Sequence, residues 1–454
     1  MMLLSQGKKG DNLILPAQQK EAYAYLSFFG RGSYGFDKWM YVDLSLRNDR
    51  SSRFGENNRS AMFYSAGAMF DIYNKFIQES NWLNDLRLKV SYGTTGNSEI
   101  GNYGHQAFVS AYNYTDDDLG LIINTAGNPD LSWETQAQFN VGVASAMFDN
   151  RLRAEVDFYV RSTKDMLIDV PMPYASGFFS QYQNVGSMRN TGIDIKLDGT
   201  IYQTKDWNVY ASANFNFNKQ KITELFHGLD EYVLPNTGTI WQVGKPNSFY
   251  MAEYAGIDHE TGDMLWYVPG KYDADGNRVT TNKYSTELEV NVGKSVTPDI
   301  TGGFSLGASW KGLALDADFA YIIGKWMINN DRYFIENGAP SGVKTNKSKI
   351  LLDAWTETNK DTDVPRLGQT PQFDTHLLEN ASFLRLKNLK LSYALPNSLF
   401  AGQKVLSGAR VYLMARNLFT VTKYKGFDPE AGGNVALNQF PNTKQFMGGI
   451  QLSF

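Results

Sequence analysis

Residues Trp133 to Ser162 read WETQAQFNVGVASAMF-DN-RLRAEVDFYVRS, and this stretch decides the fold. Leu152, Ala154, Val156, Phe158 and Val160 fall on one side, and Arg153, Glu155, Asp157 and Arg161 on the other. A repeat of two is the signature of a strand with one apolar and one polar face. Asp149-Asn150 is a tight turn between two such strands. Both runs exceed the usual globular strand of about five or six residues, and their length suits a tilted membrane strand.

Working outward, the pattern repeats. GIDIKLDGTIY puts Ile193, Ile195, Leu197 and Ile201 opposite Asp194, Lys196 and Asp198, then turns at Lys205-Asp206 into WNVYASANFNFNK. TGGFSLGASW turns at Lys311-Gly312 into LALDADFAYIIG, whose polar side carries Asp316 and Asp318. Nearer the start, YAYLSFFGRGSYGF turns at Asp37-Lys38 into MYVDLSLRND. Ile72–Asp85 is expected to form one short helix. In LRLKNLKLSYALP the apolar phase changes from even to odd numbers near Asn388, which predicts a bulge. The chain closes on Ile450, Leu452 and Phe454 alternating with Gln451 and Ser453. This reads as a barrel-closing strand with its apolar face to lipid and Phe454 at the periplasmic rim.

The connections alternate in length. Tight or medium links stand near residues 37, 73–85, 149, 206, 312 and 397–408. Long polar loops are expected at 51–59, 96–132, 166–190, 223–299, 329–380 and 425–444. Short periplasmic turns against long outer loops characterise an outer-membrane barrel. The fold class expected is therefore all-β, a transmembrane antiparallel β-barrel with long extracellular loops. Counting back from a periplasmic carboxy-terminus gives about thirteen strands, an odd number that enters from outside, whereas bacterial barrels have even counts. Two open edges in lipid would cost on the order of tens of kcal/mol at several per unpaired backbone group. Residues 21–454 are thus expected to be the carboxy-terminal part of a larger barrel, and residues 1–20 an extracellular loop remnant without a signal peptide.

Composition narrows the function classes. A formal charge of −4 gives no reason to expect a nucleic-acid partner. The chain has no Cys, which removes thiolate metal sites and Cys nucleophiles, and its four His stand far apart. No cofactor is expected. Aromatics at 14 % and 41 Gly suit many strands, interface girdles and loops. No run of 18 apolar residues is present, so no membrane helix is written here.

Several stretches together resemble the carboxy-terminal half of the SusC/RagA family of TonB-linked outer-membrane transporters. They are LSLRNDRSSRFGENNR, DLRLKVSYGTTGNSEIGNY, NPDLSWETQAQFNVGV, NTGIDIKLDG, ASFLRLKNLKLSYALP, RVYLMARNLFTVTKYKGFDPE and the final GGIQLSF. One departure is Ser60-Ala61-Met62, where the family pattern leads to a Trp-bearing segment. The resemblance implies a plugged barrel of about 22 strands, with about nine of them and the TonB-contacting plug outside this chain. It also implies a SusD-like surface lipoprotein as partner, and an oligosaccharide or peptide as ligand. The function expected is the barrel portion of such an importer in the cell outer membrane, not an enzyme. The alternatives are a non-transporting outer-membrane adhesin or enzyme barrel, or a soluble β-rich binding module.

The remaining motifs weigh little. FGRGSYG matches a dinucleotide fingerprint but lies in a strand followed by another strand. YDADGNR begins like a calcium loop, but Tyr284 stands where the twelfth-position Glu belongs, so a hairpin is expected. Trp241, Trp266, Tyr267, Trp326, Phe334 and Trp355 lie in or beside the long loops. They are substrate-binding candidates by stacking on sugars, or else pack against each other or a partner. Arg153, Glu155, Asp157, Asp194, Lys196, Asp198, Asp316 and Asp318 are the lumen-facing set; they could line a transport path, or else pair across neighbouring strands and with the plug, which is the chief expectation.

Overall fold

A computed structural model describes residues 21–113, 119–235, 237–339, 346–402 and 405–454. The expectation for residues 1–20 lies outside the described residues. Among the described residues thirteen strands form one antiparallel meander in which each pairs with the next along it, and a short extra strand, Thr420–Thr422, pairs with Phe383–Arg385. They are β1 (Tyr25–Phe36), β2 (Met40–Ser51), β3 (Ser60–Asp71), β4 (Leu83–Asn97), β5 (Glu134–Met147) and β6 (Leu152–Lys164). There follow β7 (Ser187–Gln203), β8 (Trp207–Glu224), β9 (Ile300–Trp310), β10 (Leu313–Ile323), β11 (Phe383–Ala394), β12 (Gly408–Arg416) and β13 (Gln445–Ser453). β1 and β13 end the sheet and do not pair with each other, so the wall is open.

The register carries the alternation across the wall. Ile195 stands opposite Val156 on one side and Phe215 on the other, while Asp194 stands opposite Asp157 and Asn216. The apolar face therefore runs continuously and uncovered from strand to strand, with Phe28 65 %, Leu413 63 % and Ile450 70 % exposed. An apolar face of this extent is a membrane surface or an interface. Among the described residues no helix is long and apolar enough to cross a membrane; the strands supply the crossing.

Glycine and tyrosine pin the register. Tyr159 of β6 lies over Gly192 of β7, Tyr210 of β8 over Gly307 of β9, and Tyr412 of β12 over Gly449 of β13, each pair directly opposite. A Cβ added at Gly307 would fall 2.2 Å from the Tyr210 ring, and one at Gly192 2.3 Å from the Tyr159 hydroxyl. Only glycine leaves room for the neighbour's ring, so a slipped register would lose the fit.

Two local expectations have different outcomes. The bulge is present: Asp318 pairs with Asn388 but Phe319 with Leu386, so Lys387 is the extra residue and the apolar phase changes there. The helix over Ile72–Asp85 is not. A single turn, Tyr73–Ile77, is all that forms. Gln78 has φ of 57°, which ends the helix, and Leu83 already belongs to β4.

The long connections depart furthest from expectation. Rather than polar loops, those after β8, β10 and β12 are folded and hold much of the buried apolar core. The first contains a sheet of Glu231–Leu234, Thr239–Gln242, Ser248–Ala252 and Glu289–Ser295. It also contains a sheet of Tyr254–Ile257, Met264–Tyr272 and Arg278–Thr281. From the second, Trp326–Asn329 pairs with Leu378–Asn380 and, in parallel, with Val435–Ala436 of the third. Phe249, Met251, Ile328 and Leu377 are fully buried together with Val435 against them, so one core joins all three connections. Burial of each such side chain stabilises by roughly 1.5–3 kcal/mol. A second core, Ala252, Met264, Trp266 and Leu288, adjoins it. Together these segments form a cap at the long-loop end.

Candidate functional site

The cap is the concave, chemically mixed part of the molecule. The second connection begins with β-strand Trp326–Asn329 and helix α1 (Asn330–Ile335). Arg332 on α1 donates to both oxygens of Glu336, at 2.8 and 2.9 Å, and to Glu379 at 2.9 Å and the His376 carbonyl at 2.7 Å. The His376 ring stands 3.4 Å from Glu336 and 3.4 Å from Asp374. Asp374 in turn accepts the His376 backbone N–H at 2.9 Å. Burial disfavours the Glu336 anion, but hydrogen bonds from His376 and Arg332 and the Arg332 charge outweigh it and hold the carboxyl at about 2. For His376 burial disfavours the cation, and bonds to Asp374 and Glu336 overcome this, raising its pKa above the usual value.

A cleft of about 330 Å³ opens above this cluster. Its floor holds Tyr254, Arg332, Glu336 and His376, and its walls include Ile350, Leu351, Val364, Pro365 and Leu367. The wall segment is tied back to the Asp258–Asp263 turn. Arg366 donates to Asp263 at 2.7 Å, and Trp355 donates to the His259 carbonyl at 2.8 Å. This cleft escaped the sequence reading because its residues are scattered from Tyr254 to Lys425. The one local signal was the Arg332–Glu336 spacing of four.

A third cluster ties the last connection to the wall. Arg385 of β11 donates to Asp428 at 2.6 Å and pairs with Glu430, which also takes Lys387. Lys325 donates to the carbonyls of Pro429 at 2.7 Å and Ala431 at 2.8 Å. Asp428 also accepts from Asn442 at 2.8 and 2.9 Å. Burial opposes the Asp428 charge, but Arg385 and the backbone donors hold its pKa below the usual carboxylate value.

The aromatic residues singled out from sequence are not brought together on one platform. Trp266 is 4 % exposed, with its indole donating to Asp374 at 2.6 Å and its ring edge-on to Tyr284. Trp241 packs on the Met166, Ile168, Val170 and Phe226 core. Trp326 lies against the Phe249 core under Lys294, at 4.4 Å. Arg278 covers Tyr267 at 3.9 Å. Trp355 sits against Gly262, where an added Cβ would fall 2.6 Å from its ring. Phe334 is edge-on to Tyr333.

Most of the charges assigned to the lumen share the polar face of the wall and are bonded across it. Glu155 pairs with Lys89, Lys196 with Asp198 at 3.3 Å, and Asp194 accepts from Asn216 at 2.6 Å. Asp316 accepts from the Tyr210 hydroxyl, and Asp318 from Ser305 at 2.7 Å and Asn388 at 3.2 Å. Arg153 and Asp157 stand in register with Asp198 and Asp194. Ile450 and Leu452 of β13 face the apolar side opposite Val411 and Ala409, and Phe454 follows, 82 % exposed. YDADGNR is a hairpin tip in which Asp273 accepts the Asp275 and Asn277 N–H groups, at 2.9 and 2.8 Å. Among the described residues no carboxylate or imidazole group is arranged to hold a metal ion.

A meander of long membrane strands with a folded cap defines the class, an outer-membrane β-barrel. The chain belongs to the TonB dependent receptor-like, beta-barrel family, whose model matches residues 7–418. It is 30 % identical to TonB-dependent receptor P3 of Formosa agariphila, over 94 % of this chain and 45 % of that one. It is 28 % identical to TonB-dependent receptor SusC of Bacteroides thetaiotaomicron, over 96 % and 45 % respectively. A solved structure described as the RagAB peptide transporter contains a chain 76 % identical to this one, with a TM-score of 0.92, covering 100 % of this chain and 50 % of its own. The chain thus spans about half the length of the relatives it matches. It is an outer-membrane barrel portion of the SusC/RagA type, and proteins of this family are receptors and transporters.

Proposed function

We propose that residues 21–454 form the carboxy-terminal wall and the extracellular cap of an importer of short peptides. It would work with a SusD-like surface lipoprotein, and TonB would act on a plug contributed from outside this chain. The observation that carries this reading is the 76 % identity, along the whole chain, to a protein whose structure is described as a peptide transporter. The cap supports it further. Trp266, Tyr267 and Trp326, which a sugar importer could offer as stacking faces, are spent here on packing and cation contacts. The charges on the polar wall face, among them the Lys89–Glu155 and Lys196–Asp198 pairs, would line the passage and meet the plug without presenting a strong net field.

The test places the full-length transporter and its lipoprotein in the outer membrane of a host lacking its own receptor. Labelled short peptides and labelled oligosaccharides are offered with and without TonB. Peptide uptake that requires TonB is expected. Uptake of saccharide with none of peptide would overturn the assignment.

A further inference from the structure

We infer that the cleft between Tyr254, α1 and the 350–367 segment is a subsite that takes an apolar, leucine-sized side chain of the peptide, with the Tyr254 hydroxyl donating to the peptide main chain. This inference rests on the peptide reading above. The volume of about 330 Å³ is at the small end of ligand sites and suits one or two residues, not a whole cargo. Much of the wall is aliphatic or proline, and Ile350 and Leu367 keep 41 % and 57 % of their surface exposed.

The floor selects against charge. Arg332 is already bonded to Glu336, Glu379 and a carbonyl, and His376 lies between Glu336 and Asp374. A charged side chain entering the cleft would lose water and find each of these groups occupied. The Tyr254 hydroxyl differs. Tyr254 lines the cleft, and its hydroxyl has no hydrogen-bond partner among the described residues. Burial and the nearby Asp374 and Asp363 charges push its pKa up, so it stays a phenol and offers a proton to an acceptor. A peptide carbonyl is such an acceptor. Lys425 at the rim is exposed and makes no ion pair among the described residues. It suits the terminal carboxylate of a bound peptide. A sugar ring needs an open aromatic face, and Tyr254 is instead packed against Trp266 at 6.5 Å and His376 at 5.5 Å.

The experiment uses the full-length transporter with its lipoprotein and two labelled peptides of equal length, one of leucine and glycine, one of serine and glycine. Ile350→Asp with Leu367→Asp makes the walls polar at exposed positions. This change is expected to lower uptake of the leucine peptide about tenfold, equivalent to about 1.4 kcal/mol, and to leave the serine peptide unchanged. Tyr254→Phe is expected to lower uptake of both peptides by the same few-fold factor. Because the chain has no Cys, Leu367→Cys gives a single reporter within it, which the leucine peptide should protect from maleimide and the serine peptide should not. Equal loss of both peptides in the wall variant, or no protection at position 367, overturns the subsite while import stands. If the wild-type protein imports neither peptide, the peptide reading itself fails and the subsite with it.

Discussion

The indole of Trp266 donates to Asp374 at 2.6 Å, joining two connections at positions 108 residues apart. Both partners are buried, Asp374 at 1 % exposure. A hydrogen bond to a charged group contributes about 1.5–3 kcal/mol, and leaving the carboxylate without it costs at least as much. Trp266→Phe is therefore expected to loosen the cap by roughly 2 kcal/mol and to leave the wall intact. Limited proteolysis of the folded protein checks this: cleavage should quicken within 254–290 and 360–377 while the strands stay resistant.

Arg385 and Asp428 make the corresponding tie between the wall and the last connection. Removing one partner of a buried pair costs about 3–5 kcal/mol, and the remaining donors to Asp428 place this case at the lower end. Arg385→Ala should release residues 425–444, seen as faster hydrogen exchange there. Lys387→Ala, whose Glu430 contact is half-exposed, should release far less.

The pH dependence of the cap has two limbs. Glu336 is held at about 2, below its ordinary 4.5. Its contribution is present above about 4.5 and is lost as pH falls through the folded value. His376 is raised above its ordinary 6.5, so its contribution is complete below 6.5 and is lost as pH rises through the folded value. Cap stability, followed by the proteolysis assay across pH, should be highest between these limits. Glu336→Gln should flatten the acid limb, and His376→Gln the alkaline one.

Gly307 tests the register device in the wall. Gly307→Val would drive the Tyr210 ring from its place and break its bond to Asp316. The expected result is a barrel that no longer resists unfolding in detergent on mild heating, read by gel mobility. Tyr210→Ala on that background should restore part of the resistance, because the clash is gone.

The wall was legible from sequence because lipid on one side and water on the other impose a period of two on every strand. Even the Lys387 bulge showed, since a phase change in an alternating run has no other simple cause. The cap was not legible. Its strands are short, and Phe249 packs on Ile328 and Leu377 while Trp266 donates to Asp374, so no local window contains the pattern they complete. The same holds for the cleft: Tyr254, Arg332 and Leu367 become neighbours only once two connections have folded on a shared core. Sequence found the aromatic residues of these connections and left two readings open, stacking on sugars or packing; Trp266 and Trp326 pack in the cap's cores.

That shared core has a consequence for descent. The apolar residues that stabilise the cap lie above the membrane and are separate from those that meet lipid. Variation can therefore rework the rim of the cleft, at Ile350, Leu367 or Lys425, while insertion and assembly proceed as before. On the proposed import reading, a lineage could change its diet without rebuilding its place in the envelope.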